Sequence, residues 1–406
     1  MRLWAVLGAL LVMGCGAGQR PESNALFEAA SAGDLPAVRE ELAHGASADV
    51  AVRAGLTPLI IASYAGHTEV VRALLEAGAR PDLVNDDSEC ALHTSAASPA
   101  AEEIVPLLLE HHARVDLRDV HGRTPIINHA QEGHITAVQA LLRAGADVQV
   151  IDGDGQTALF SAALHGHGDV VEILAARGAR LDVANRFGAD ALIAAAHSGH
   201  ADVVRRLVGL GARDGQVSNE GFTALGAAIL QGHLDVVDAL APAGAPLDRT
   251  VAPEGAPLHV AAANGSLELV RLLVDRGAPL NQVVDRFTPL LYAVARSHPD
   301  VVVFLLDRGA DHTVRADGAS ALHLAALLGD LESARALLDR GADLHAVNPQ
   351  GGTPLRSAAD QGRTEMVRFL LERGARPDTV DSFGLRAIDY ARQNGHWEVV
   401  RLLESH

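Results

Sequence analysis

The stretch Gly55–Ala79, GLTPLIIASYAGHTEVVRALLEAGA, decides how this chain folds. Thr57 is placed to cap a helix with its hydroxyl, and Pro58 takes the first helical position, where a missing N–H costs nothing. Leu59, Ala62 and Ser63 then fall one turn apart on one face. Gly66 suits the left-handed conformation that ends a helix. A second helix follows, with Val70, Val71, Leu74 and Leu75 on one broad stripe, and Gly78 ends it in the same way. Each helix is about nine residues, and isolated helices below ~12–15 residues are marginal in water. The pair persists only by burying its apolar face on neighbours, at roughly 1.5–3 kcal/mol for each Leu or Val.

The same unit recurs along the chain. Gly45, Gly78, Gly145, Gly178, Gly211, Gly244, Gly277, Gly309, Gly341 and Gly374 each precede Ala, and His112-Ala113 fills the one gap. A second marker keeps step at Thr57-Pro58-Leu59, Thr124-Pro125-Ile126, Thr157-Ala158-Leu159, Thr223-Ala224-Leu225, Thr288-Pro289-Leu290 and Thr353-Pro354-Leu355. Gly-His recurs at Gly66, Gly133, Gly166, Gly199, Gly232 and Gly395. A period of 32–34 residues means stacked units, none of which is a domain alone. The repeat resembles the ankyrin repeat. That resemblance implies an all-α ankyrin-repeat solenoid of about twelve helix-turn-helix units with β-hairpin-like fingers. It covers residues 24–406: an N-terminal cap at 24–50, central repeats at 51–380 and a C-terminal cap at 381–406. The third unit, Cys90–Ala113, departs from the pattern. It has one extra residue, no Gly-His, and Pro106 inside its second helix, where proline can cost about 3 kcal/mol. A kink or weak point is expected there, as a hinge or as a binding feature.

The first residues read as an address. Arg2 precedes an apolar run from Leu3 to Met13, far short of the ~20 residues a spanning helix needs. Val12-Met13-Gly14-Cys15 resembles the end of a bacterial lipoprotein signal, although Met13 stands where Ala or Ser is usual. The resemblance implies a signal peptide at 1–15, lipidation at Cys15 and a short tether at 16–23. It also implies a periplasm-facing lipoprotein of the bacterial envelope, held by lipid alone. Gly16 in place of Asp points to the outer membrane. The alternatives are an ordinary secretory signal cut near Ala17 or Gly18, giving a periplasmic or secreted protein, and a soluble intracellular regulator.

Composition excludes several classes of function. Of 406 residues, 48% are hydrophobic but only 3% aromatic, so the core is Ala, Leu and Val, which suits close helix packing. Lysine is absent, and all 33 basic residues are arginine, which rules out Schiff-base chemistry and a P-loop lysine. A net charge of −18 argues against nucleic acid and anionic lipid as partners. The two cysteines cannot make a disulfide framework. No G-x-S-x-G, HExxH or Walker sequence occurs. Half of the 20 histidines sit at two repeat positions, seven at one (His67, His134, His167, His200, His233, His298, His396) and three at the other (His93, His259, His323). The resemblance makes these structural, bonded to nearby backbone or to the capping threonine. His111 with His112, and His165 with His167, lack Cys or carboxylate partners at ligand spacing. Asp152–Gln156 lacks the closing glutamate of a calcium loop, Ala163 standing there, and reads as a finger turn. Cys90 starts a helix, which can activate a thiol, but Asp86, Asp87 and Glu89 oppose that, so it reads as structural. No enzyme activity, catalytic residue, cofactor or metal is expected.

Function then falls to the surface. The resemblance implies that a partner contacts the fingertips and the exposed side of the first helices. The candidates there are Tyr64, Asp86, Asp87, Glu89, Arg123, Glu132, Arg186, Phe187, Phe222, Phe287, Arg296 and Phe383. Exposed aromatics and arginine are common hot-spot types, although finger aromatics can also pack on the adjacent finger. Asp86, Asp87 and Glu89 point to a basic or polar patch on the partner, or else to a solvated turn. The expectation is a monomeric, noncatalytic scaffold for an unknown protein partner.

Overall fold

The computed structural model describes residues 24–406 apart from 243, 246, 249 and 252–254. The signal-like run, Cys15 and the tether lie outside the described residues. The described residues divide into two compact units, one ending at Ala212 and one beginning at Arg213. In the first unit six helix pairs follow one another: α1 and α2 (Ala25–Ala32, Leu35–Ala43), α3 and α4 (Pro58–Ala65, Thr68–Glu76), α5 and α6 (Ala91–Thr94, Ala101–Glu110), α7 and α8 (Pro125–Glu132, Ile135–Arg143), α9 and α10 (Ala158–Leu164, Gly168–Ala176), and α11 and α12 (Ala191–His197, Ala201–Gly209). The second unit holds six more: α13 and α14 (Ala224–Gln231, Leu234–Leu240), α15 and α16 (Pro257–Asn264, Leu267–Asp275), α17 and α18 (Pro289–Ala295, Pro299–Asp307), α19 and α20 (Ala321–Leu328, Leu331–Asp339), α21 and α22 (Pro354–Asp360, Thr364–Glu372), and α23 and α24 (Ala387–Gln393, Trp397–Glu404). Each unit is an ankyrin-repeat stack, as the period implies.

The two helices of a pair are buried differently. In α3 every residue from Pro58 to Ser63 is buried. The single apolar face read from the sequence is too narrow, because α3 packs on α1, on α5 and on its own partner α4. A helix apolar all round is a buried one. The second helices keep one wet side: in α12, Val203, Val204 and Leu207 are buried while Asp202 and Arg205 are exposed.

The caps are those the sequence predicts. Thr57 Oγ1 accepts from Ile60 N at 3.2 Å and Thr157 Oγ1 from Phe160 N at 3.1 Å. Thr124 is the exception, its hydroxyl buried without a partner. The histidines do more than the expected local bonding. His67 Nε2 lies 3.1 Å from Ser31 O, His167 Nε2 2.8 Å from Gln131 O, and His200 Nε2 3.1 Å from Leu164 O, each in the preceding repeat. The other histidine position reaches forward instead. His93 Nε2 lies 3.2 Å from Arg123 O and His323 Nε2 2.9 Å from Gly352 O, while His323 Nδ1 meets the capping Ser320 hydroxyl at 2.8 Å. Both positions therefore fasten one repeat to the next.

The fingers are turns more than strands. Among the described residues one finger forms a two-stranded ladder, β1 (Arg315–Ala316) with β2 (Ala319–Ser320), antiparallel, with Arg315 opposite Ser320 and Ala316 opposite Ala319. Elsewhere one side chain closes the turn. Asn85 Oδ1 accepts from Asp87 N at 3.0 Å and from Glu89 N at 2.8 Å. Asp119, Asp152, Asn185, Asn348 and Asp381 repeat that pattern. Single backbone bonds join successive fingers, such as Val120 N to Asp87 O at 3.0 Å and Gly153 N to His121 O at 2.7 Å. The turn reading of Asp152–Gln156 agrees with this geometry.

The third repeat is irregular, but away from Pro106. Helix α6 runs through Pro106 without interruption. The disturbance sits in the first helix, where α5 has only four residues and passes into a 3₁₀ turn, Ser95–Ala97. The repeat closes at His112, held at φ 62° where its sister units carry glycine. A side chain in the left-handed region costs about 1–2 kcal/mol, and glycine returns part of that as unfolded-state entropy. His112→Gly is therefore expected to raise stability by about 0.5–1 kcal/mol in urea denaturation. An unchanged or lowered midpoint would contradict it.

Candidate interaction surface

A groove of about 1030 Å³ runs along the first unit between finger tips and first helices. Its wall is built by the fingers of the third to fifth repeats, including Asp87, Glu89, Arg118, Val120, Arg123 and Asp154. Its floor is helical: Tyr64 from α3, Ile127 and Gln131 from α7, and Ser161 from α9. A smaller chamber of about 130 Å³ adjoins it and shares Tyr64, Glu89, Arg123 and Gln131, adding Asn128 and Glu132.

The charges in this groove differ in how they are held. Asp119 is buried and takes both Nε and a terminal nitrogen of Arg123 at 2.8 Å, so Arg123 is neutralised within its own finger. Asp154 pairs with Arg186 at 2.6 Å. Glu89 is half-buried, and its carboxylate accepts from Asn85 Nδ2 at 3.1 Å. Burial raises its carboxyl above the usual range, with Asp87 and Asp119 adding to the rise against the Asn85 bond and Arg123.

Of the sequence candidates, Tyr64, Asp87, Glu89 and Arg123 meet in the groove and Glu132 joins them in the chamber. Asp86 is exposed on the same finger but lies outside the lining. Arg186 and Phe187 form the next finger, with the guanidinium 4.7 Å from the ring centroid and Phe187 53% exposed. The other four lie in the second unit. Phe222 is half-buried and Arg296 exposed. Phe287 packs against Tyr292 at 5.0 Å, as a finger aromatic resting on its own repeat, whereas Phe383 stands 70% exposed. Sequence reasoning missed Arg118, Val120, Ile127, Asn128 and Ile151. Register places Asn128 four residues after Thr124, as Ser161 follows Thr157, but nothing in the sequence marks its side chain as buried without a donor.

Cys90 Sγ lies 3.1 Å from His93 Nδ1, the kind of contact that activates a thiol. Both groups are buried, and burial pushes the Cys90 thiol up to about 11 and lowers His93. The thiol is therefore protonated and inert at neutral pH. Burial is the largest cause of the rise, and Asp82 adds to it. Among the described residues no three His, Cys, Asp or Glu side chains gather as a metal site, and no helix is long and apolar enough to cross a membrane.

A family model described as "Ankyrin repeats (3 copies)" matches residues 6–85, 26–119, 92–185, 177–251, 247–316 and 322–406. Among curated proteins, the chain is 41% identical over 100 residues to "Protein fem-1 homolog A-like" of Mus musculus, covering 25% of this chain and 15% of that protein. It is 33% identical over 127 residues to "Ankyrin repeat and KH domain-containing protein mask-1" of Caenorhabditis elegans, covering 30% of this chain and 5% of that protein. The chain thus spans a small part of the length of either relative. The solved human ASB11 ankyrin repeat domain superposes with a TM-score of 0.50 at 28% identity, over 55% of this chain and 99% of that one.

Proposed function

Since the chain belongs to the ankyrin-repeat family, whose members are in general protein-interaction scaffolds, we propose that it is a noncatalytic scaffold that holds a partner protein along the groove of its first unit. The groove itself carries this reading. It combines an acidic finger wall with a helical floor, and its volume of about 1030 Å³ stands at the top of the ~300–1,000 Å³ range of small-molecule pockets. A photocrosslinking residue at Val120, which is 56% exposed in the groove, is expected to trap the partner, and one at the exposed Arg72 on α4 is not. Charge reversal at Asp86 and Asp87 is expected to lower the trapped yield at least fivefold with the melting profile unchanged. Equal trapping from both positions, or full yield from the reversed chain at low salt, contradicts the reading.

We infer further that Cys15 is lipidated and that the array faces the periplasm from a bacterial envelope, with no membrane contact beyond the lipid. The support is the short apolar run ending in Val12-Met13-Gly14-Cys15. One acyl chain binds membranes only marginally, and more than one anchors durably. Met13 favours the other reading, a soluble regulator with the same groove. Mass spectrometry of the mature N-terminus decides: a diacylglyceryl-modified Cys15 supports the anchor, and an unmodified chain retaining Met1 removes it.

A further inference from the structure

Two carboxylates, Glu89 and Glu132, line the small chamber beside the groove, together with the amides of Asn128 and Gln131 and a single guanidinium, Arg123. Glu89 uses Oε2 on Asn85 and Glu132 uses Oε1 on Gln131, leaving one oxygen of each open. Asn128 lines the chamber, and its Oδ1 is buried with no hydrogen-bond partner among the described residues. A buried acceptor left unmade is costly, so such an atom marks a place where a donor belongs. Tyr64 adds an aromatic face. The one cation in the lining, Arg123, is already held by Asp119. At about 130 Å³ the chamber is too small for a cofactor, and it opens onto a groove long enough for a peptide.

The two carboxylates and the aromatic face suit a ligand that is cationic, rich in donors and slender. Lysine offers three donors and arginine five, neither has an acceptor, and either can lie on an aromatic ring. We propose that the chamber is a recognition pocket for one arginine or lysine side chain of an extended protein segment laid along the groove. The proposal rests on the scaffold reading and names what that scaffold reads. Four repeats at interhelix distances of 8–10 Å span on the order of 30 Å, which about nine extended residues fill. Asp87 and Asp152 line the same groove, so further basic residues in the segment would be tolerated. The raised Glu89 carboxyl fits as well, because a cation beside it offsets its burial.

The test uses the full chain and a positional-scanning array of acetylated nonapeptides. The expected result is selection of arginine or lysine at one position, at least tenfold over citrulline and acetyl-lysine, their uncharged counterparts. The two arms identify which cation fits. Glu89→Gln and Asn128→Leu should each lower capture of the selected peptide five- to twentyfold, with unchanged circular-dichroism melts. If either variant fails to fold, a pH series on the unsubstituted chain replaces it. Capture should weaken as acid protonates Glu89, and capture of the citrulline peptide should not. Capture without a basic preference, a preference surviving both substitutions, or a pH series without that contrast overturns the pocket and leaves the scaffold standing. No peptide capture at all also overturns it, and the Val120 crosslink then judges the scaffold separately.

Discussion

A Gly133→Ala chain is expected to lose about 2–5 kcal/mol, read as a fall in the urea midpoint of the first unit. Gly133 ends α7 at φ 78°, and alanine there carries the left-handed penalty of about 1–2 kcal/mol. The new methyl would also sit 2.4 Å from His167 Nδ1, and overpacking a tight contact costs about 1–3 kcal/mol more. The ring cannot retreat freely, because its other nitrogen is bound to Gln131 O at 2.8 Å. Gly145→Ala is the control: its φ is 93° with nothing within 4 Å of the added carbon, so only the backbone cost applies. Equal losses at the two sites would refute the steric part. Removing the ring with His167→Ala should recover that part in the Gly133→Ala background.

Acid is expected to weaken the first unit through His129. This imidazole is fully buried on α7, with Nε2 3.0 Å from Leu92 O and Nδ1 3.2 Å from His134 Nδ1. Burial, helped by His134, lowers it to about 3. The folded chain keeps it neutral while the unfolded chain binds a proton near pH 6.5. Stability is therefore whole above about pH 6.5 and is lost progressively as pH falls towards 3. The loss is about 3 kcal/mol by pH 4.5, at about 1.4 kcal/mol per unit. His93 and His134 are lowered by burial too and act in the same direction, whereas the raised Glu89 and Asp190 carboxyls oppose it. His129→Leu leaves Leu92 O satisfied by Ser95 Oγ at 3.0 Å and should flatten the slope by most of one proton between pH 6 and 4. Urea titrations at several pH values check it, and parallel curves for the two chains would refute it.

The helix pairs and their ends were legible because their causes are local. Thr57 caps a nitrogen three residues away, Gly66 turns the chain beside it, and a 33-residue rhythm repeats both. The irregular α5 was harder to see. The extra residue and the missing Gly-His marked the third repeat, but proline drew the expectation to α6, which tolerates it. In the interaction surface, the finger acids and Tyr64 could be placed by their register, whereas Asn128 looked like any polar helix residue.

The amino-acid order by itself determined the repeat, its turns and its acidic, lysine-free surface, since each follows from residue type and bonds a few positions apart. Only the tertiary structure decided which polar groups are already satisfied. His167 reaches Gln131 across 36 residues, Arg123 is neutralised by Asp119 inside its finger, and Asn128 Oδ1 is buried without a donor. Satisfaction depends on what the neighbouring repeat brings within about 3 Å, a distance that spacing along the chain does not specify.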